Sequence, residues 1–270
     1  MTARDRLELI SVKVDRAKEH LATISADLRA YLDSKPYAVG AKRAPDTRRL
    51  IYSVAGVRPT PLRISAVLGD AIHNLRSALD HLAYQLVWVG SGKKPSSHVY
   101  FPIADDRARY IEQRRQQLKG ATPTAIATLD ALMPYKGGND ALWRLHKLNN
   151  VDKHRVLLTA GSAFRSVNIG AHMSREMQKH LASPPMADKF SGMPAVDLFL
   201  RPADRLFPLK TGDELLIDGP DAEMNDKLEF RFEVAFGEQD IAFGDPIVET
   251  LTSMVQLVED ILPKFEPHLQ

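Results

Sequence analysis

Leu68-Gly-Asp-Ala-Ile-His-Asn-Leu-Arg-Ser-Ala-Leu-Asp-His-Leu-Ala-Tyr-Gln-Leu-Val-Trp-Val89 decides the fold class of the first half of this chain. Leu68, Ile72, Leu75, Leu79, Leu82, Leu86 and Val89 recur in strict steps of four and three, which puts them in one stripe on a helix of 3.6 residues per turn. The spacing predicts a helix over 62–89 with a continuous buried line, stopped by Gly90-Ser91-Gly92 and Pro95. At about 100° per residue, Asp70, His73, Ser77, Asp80, His81 and Tyr84 fall opposite the leucine line, with Arg76 at its border. A solvated face usually carries Glu and Lys. This one carries neither, and its His, Arg and Asp residues suit an interface or a site better than water.

Outward from that helix the pattern stays mostly helical up to residue 160. Leu7, Ile10, Val14, Ala17, Leu21, Ile24 and Leu28 mark an amphipathic helix over 4–33, which Pro36 and Gly40 interrupt. A β-prone run, Arg49 to Val57, ends at Pro59 and Pro61, so a small strand insertion is expected near 36–57. Further helices are expected over 105–118, 123–133 and 139–153. The character then changes. Residues 164–169, 197–201, 214–217 and 228–236 read as strands, and Leu228-Glu-Phe-Arg-Phe-Glu-Val-Ala-Phe236 alternates as a sheet with one wet face does. A last amphipathic helix over 245–262 carries Ile247, Leu251, Met254, Leu257, Val258 and Ile261, and could return to the helical half. The expected architecture is α+β: a helical bundle over 1–160, and a β-rich part over 161–270 with an antiparallel sheet closed by the final helix.

Composition excludes several classes. The 270 residues are 44% hydrophobic and 26% charged, as in an ordinary globular protein with a sizeable core. A formal charge of +2 supports no global attraction to polyanions, so any nucleic-acid contact needs a local basic patch. With no cysteine there is no disulfide, no thiolate nucleophile and no Cys-ligated zinc. No stretch approaches the roughly 20 apolar residues of a membrane span, and the first 20 residues lack the apolar core of a signal peptide. The expectation is a cytoplasmic protein with no membrane partner.

Arg76-Ser77-Ala78-Leu79-Asp80-His81 resembles the R-x4-6-H motif of the HEPN superfamily, in residue types, in spacing and in its place on a long core helix. The resemblance covers about residues 1–160, and Ser77 stands where the family more often has Asn, Asp or His. It implies a helical bundle that homodimerises and, in many members, a metal-independent endoribonuclease of defence or toxin systems, acting on single-stranded RNA without a cofactor. Arg76 and His81 would then be catalytic. His is the side chain that titrates unperturbed near neutrality, which suits proton transfer at the 2′-hydroxyl and the leaving oxygen. Arg76, fork-shaped and permanently charged, would hold the scissile phosphate. Two-fold pairing would supply a second His81, and His73 is the alternative within the chain. Asp80, Asp70, Asn74 and Ser77 would support them.

A second polar concentration runs from Leu145 to Val156. His146, Asn150 and His154 share one helical face, and Lys153, His154 and Arg155 are candidates for phosphate binding or for offsetting the helix dipole. Two other readings stay open. One is a non-catalytic, dimeric binding or interaction module in which the polar residues form a structural network. The other is a metal-dependent enzyme built on Asp70, His73, Asp80, His81, His146, Asp152 and His154, although no H-E-x-x-H or E-x-x-H pair occurs. Trp88 and Trp143 are expected as core or interface anchors, and 183–194 as a loop. No phosphate loop or G-x-S-x-G elbow is present.

Overall fold

The leucine stripe becomes α2, Leu62–Ser91, in a computed structural model that describes residues 1–95, 99–154, 157–170, 198–200, 206–225 and 228–270. Leu68, Ile72, Leu75, Leu79, Leu82 and Leu86 are fully buried, and Val89 is half-buried at the end of the line. The helix stops where Gly92 takes φ 65°, a left-handed conformation glycine adopts freely, and its N–H returns to the Val89 carbonyl.

The chain divides into two compact units, and both are discontinuous. The first contains Met1–Arg29, Pro61–Ala160 and Phe236–Gln270. The second contains Ala30–Thr60 and Gly161–Ala235. This departs from the division expected at residue 160. The strand insertion near 36–57 belongs with the β-rich unit, and the last helix belongs with the helical one.

α1 spans Ala3–Asp33 and belongs to the helical unit up to Arg29; the helical unit also holds α3, Arg107–Gln117, α4, Pro123–Ala131, α5, Asp140–His154, and α6, Ile247–Ile261, followed by a 3-10 helix, Leu262–His268. Asp106 caps α3 by accepting from the Arg109 amide, and Thr122 caps α4 ahead of Pro123. α2 packs against α5, α6 and the 3-10 helix. On α6, Ile247, Leu251, Met254, Val258 and Ile261 are buried as expected. α1 meets α2 through Arg6 with Gln85 and Asp27 with Arg63.

Among the described residues, the β unit holds two three-stranded sheets where one antiparallel sheet was expected. β1, Tyr37–Arg43, forms an antiparallel hairpin with β2, Leu50–Val57, and β2 pairs antiparallel with β5, Glu214–Asp218. β3, Ala160–Asn168, lies between β4, Phe199–Leu200, and β6, Glu229–Phe236. Val54, Phe164, Val167, Leu209 and Leu215 form this unit's core, with Tyr37 stacked on Phe232 at 4.2 Å between ring centres. The loop expected over 183–194 lies outside the described residues. Among the described residues, no helix is long and apolar enough to cross a membrane.

Candidate functional site

Arg76 leaves the border of the leucine stripe toward the segment carrying Phe101, and only 5% of it is exposed. Its Nη2 donates to the Phe101 carbonyl at 2.7 Å and lies 2.9 Å from Asp80 Oδ1, one turn further along α2. The same Asp80 oxygen accepts from the Phe101 amide at 2.9 Å. The ion pair thus holds both backbone polar groups of a buried residue that belongs to no helix or strand. Burial lowers the Arg76 pKa, with the Asp80 charge opposing. Burial also raises the Asp80 pKa, against the Arg76 charge and the Phe101 amide.

His81 goes elsewhere. Five residues beyond Arg76 it is turned about 140° around the helix, is exposed, and makes no hydrogen bond among the described residues. Desolvation first, and then Lys13 of α1, lower its pKa below the ordinary histidine value, while Asp80 opposes. The two residues of the R-x4-H pattern therefore address different surroundings within one chain: Arg76 the interior, His81 the outer face of α2.

The other expected residues are spread along that face. His73 is exposed. It faces Asn149 Oδ1 through Nδ1 at 3.3 Å and Ser77 Oγ through Nε2 at 3.4 Å. Asn74 donates to the carbonyl of Asp70 at 2.8 Å, a bond within the helix. Asp70 is exposed, and its charge helps raise the pKa of Asp152 on α5. Tyr84 stands edge-on to half-buried Trp88, over which the Arg6 guanidinium lies at 5.2 Å.

The second polar concentration falls on α5, facing α2. Gly69 permits the approach: a Cβ there would stand 2.6 Å from Asp152 Cγ. Asn149, only 2% exposed, reaches His73. Asn150 Nδ2 lies 3.1 Å from His146 Nε2. The His146 pKa is pushed down to about 4, by burial first, then by Arg76 and Lys147. Lys153 is exposed, and its charge acts on both Asp80 and His146. The side chain of His154, and Arg155 altogether, lie outside the described residues.

Sequence reasoning did not single out Phe101, Asn149 or Asp105. The backbone role of Phe101 leaves no trace in side-chain type. Asn149 was legible in part, since it is three residues after His146 and on the same side of α5. Asp105 accepts from Trp143 Nε1 at 2.8 Å and pairs with Lys147 at 2.7 Å, which lowers its pKa. Beside them a groove of about 440 Å³ opens, lined by Lys136, Trp143, Lys147, Asn150 and Ile241. Trp143 is buried and covered by Lys136 at 4.6 Å, so it anchors the core as expected. Among the described residues, no three His, Asp or Glu side chains converge as a metal site requires. Comparison of the chain with protein-family models, with curated proteins and with solved structures finds no match in any of the three.

Proposed function

We propose that the protein is a HEPN-like homodimeric module that binds single-stranded RNA without cleaving it, a degenerate relative of the metal-independent endoribonucleases. The observation that carries the reading is the commitment of Arg76. A guanidinium 5% exposed, bonded to Asp80 and to the Phe101 carbonyl, is a structural anchor and not a clamp on a scissile phosphate. What supports RNA binding is the company of α2: Lys13 of α1 acts on His81 and Lys153 of α5 on Asp80, and Tyr84 and Trp88 offer half-buried aromatic rings.

A second reading, an active endoribonuclease, is favoured by one observation. His81 is exposed, free of hydrogen bonds among the described residues, and has a lowered pKa, so it is neutral and able to accept a proton at pH 7. The discriminating experiment incubates labelled single-stranded RNA in EDTA with wild type and His81→Ala, together with a binding titration and the oligomeric state. Salt-dependent binding by a dimer without cleavage supports the module. Chelator-resistant cleavage that disappears in the variant establishes the nuclease.

A further inference from the structure

The groove beside Trp143, about 440 Å³, has the size of a small-molecule site, about 300–1,000 Å³. α5 lines it with Trp143, Lys147, Asn150 and Val151, and Lys136 joins them from just ahead of that helix. The turn of Gln239, Asp240 and Ile241, which precedes α6, lines the same space.

Two cations are positioned here by a buried frame. Trp143, 7% exposed, donates its Nε1 to Asp105 Oδ1 at 2.8 Å, and that oxygen lies 2.7 Å from Lys147 Nζ. The ammonium groups of Lys136 and Lys147 stand 4.6 and 5.9 Å from the centre of the Trp143 indole, so both converge on one side chain. Lys147 gives one of its N–H groups to Asp105 and keeps the others. Lys136 forms no ion pair among the described residues.

The turn brings the opposite charge. Asp240 holds φ 61°, a left-handed conformation that Asp and Asn adopt more readily than other side chains. Its carboxylate has no ion-pair or hydrogen-bond partner among the described residues. Asn150 turns Nδ2 to His146, which leaves its Oδ1 as a second acceptor. One cavity is therefore lined by an unpaired ammonium and an unpaired carboxylate that do not pair with each other, and by the apolar side chains of Val151 and Ile241.

We infer that this groove binds a small zwitterion, a free α-amino acid with an apolar side chain. Its carboxylate accepts from Lys136 and Lys147, its ammonium donates to Asp240 and Asn150 Oδ1, and its side chain lies on Val151 and Ile241. A simple anion or a simple amine would answer only one of the two charges. A nucleobase does not suit the groove, because a ring 7% exposed and covered by Lys136 offers no face for stacking. None of these residues belongs to the proposed RNA site, so the inference stands whether or not the protein binds RNA.

Titration calorimetry tests it with valine, leucine, isoleucine, methionine and phenylalanine as probes. At least one is expected to bind the wild-type protein. For the tightest, the amine that lacks its carboxylate and the acid that lacks its amino group should each bind about tenfold more weakly, the equivalent of one charged hydrogen bond. Two variants then assign the ends. Lys136→Gln should weaken the amino acid and the acid and leave the amine unchanged. Asp240→Asn, a change the left-handed backbone tolerates, should weaken the amino acid and the amine and leave the acid unchanged. Both positions are exposed, so both variants should melt with the wild type. No binding by any of the five probes, or variants that treat amine and acid alike, would overturn the inference and leave the groove to solvent.

Discussion

Arg76 and Asp80 share the backbone of Phe101: the guanidinium donates to its carbonyl at 2.7 Å, and the carboxylate accepts from its amide at 2.9 Å. One i,i+4 pair on α2 thereby fixes an irregular segment against a long core helix. A surface pair of the same spacing contributes a few tenths of a kcal/mol. This one is set apart by its burial and by the two backbone groups that depend on it.

Removing Asp80 should therefore be costly. Asp80→Ala leaves the buried Arg76 guanidinium without its counter-charge and the Phe101 amide without an acceptor. The expected loss is about 2–4 kcal/mol, somewhat below the range for fully buried pairs because the Asp80 side chain keeps 20% of its exposure. Urea denaturation measures it. A change under about 0.5 kcal/mol, typical of surface positions, would show the pair to be incidental.

Gly69→Ala tests the closeness of α2 and α5. The added Cβ would stand 2.6 Å from Asp152 Cγ, so the carboxylate has to move. The strain of moving the carboxylate is expected to offset the roughly 1 kcal/mol that alanine adds to a helix interior, so that Gly69→Ala gains nothing or loses up to about 1 kcal/mol. Asp152→Ala in the same chain should relieve that strain, a coupling that a double-mutant cycle reads directly.

Stability should depend on pH through His146. The folded-state pKa lies near 4 against an ordinary value of 6.5, so the unfolded chain takes up the proton first as the pH falls. The contribution of this residue is complete above about 6.5 and is lost progressively between 6.5 and 4, by up to about 3 kcal/mol. Asp80, whose pKa is raised, works in the opposite direction from its ordinary 3.8 upward. As the pH falls from 7 to 4, wild type should lose unfolding free energy relative to His146→Phe, by up to about 3 kcal/mol. Parallel curves would contradict the assignment.

His81→Ala should leave the fold alone, since the side chain is exposed and makes no hydrogen bond among the described residues. Stability within about 0.5 kcal/mol of wild type is expected. Affinity for single-stranded RNA should fall about three- to tenfold, the equivalent of roughly one lost contact. A loss of stability with unchanged RNA binding would place His81 in the structure and not at the ligand.

The helical elements were legible because their periodicity is local. The stripe from Leu68 to Leu86 alone specifies α2, and the buried residues of α6 include five of the six that its spacing marks. β1 was not legible as a separate strand: Tyr37-Ala-Val-Gly-Ala-Lys-Arg43 carries a glycine and a charged end, and it is held by its pairing with β2. The discontinuity of the two units depends on which distant segments meet, and no window of sequence contains that information. The site was legible in residue type but not in direction. Arg76 and His81 were visible as a pair. That one turns inward to Phe101 and the other outward beside Lys13 follows from where α5, α1 and the Phe101 segment pack.

The most direct test of the account is the incubation of single-stranded RNA with the wild-type protein in EDTA, resolved for both binding and cleavage. A dimer is expected that retards RNA, releases it as salt is raised, and leaves it intact after long incubation. RNA fragments that accumulate in EDTA and vanish with His81→Ala would contradict it and make the protein an active endoribonuclease.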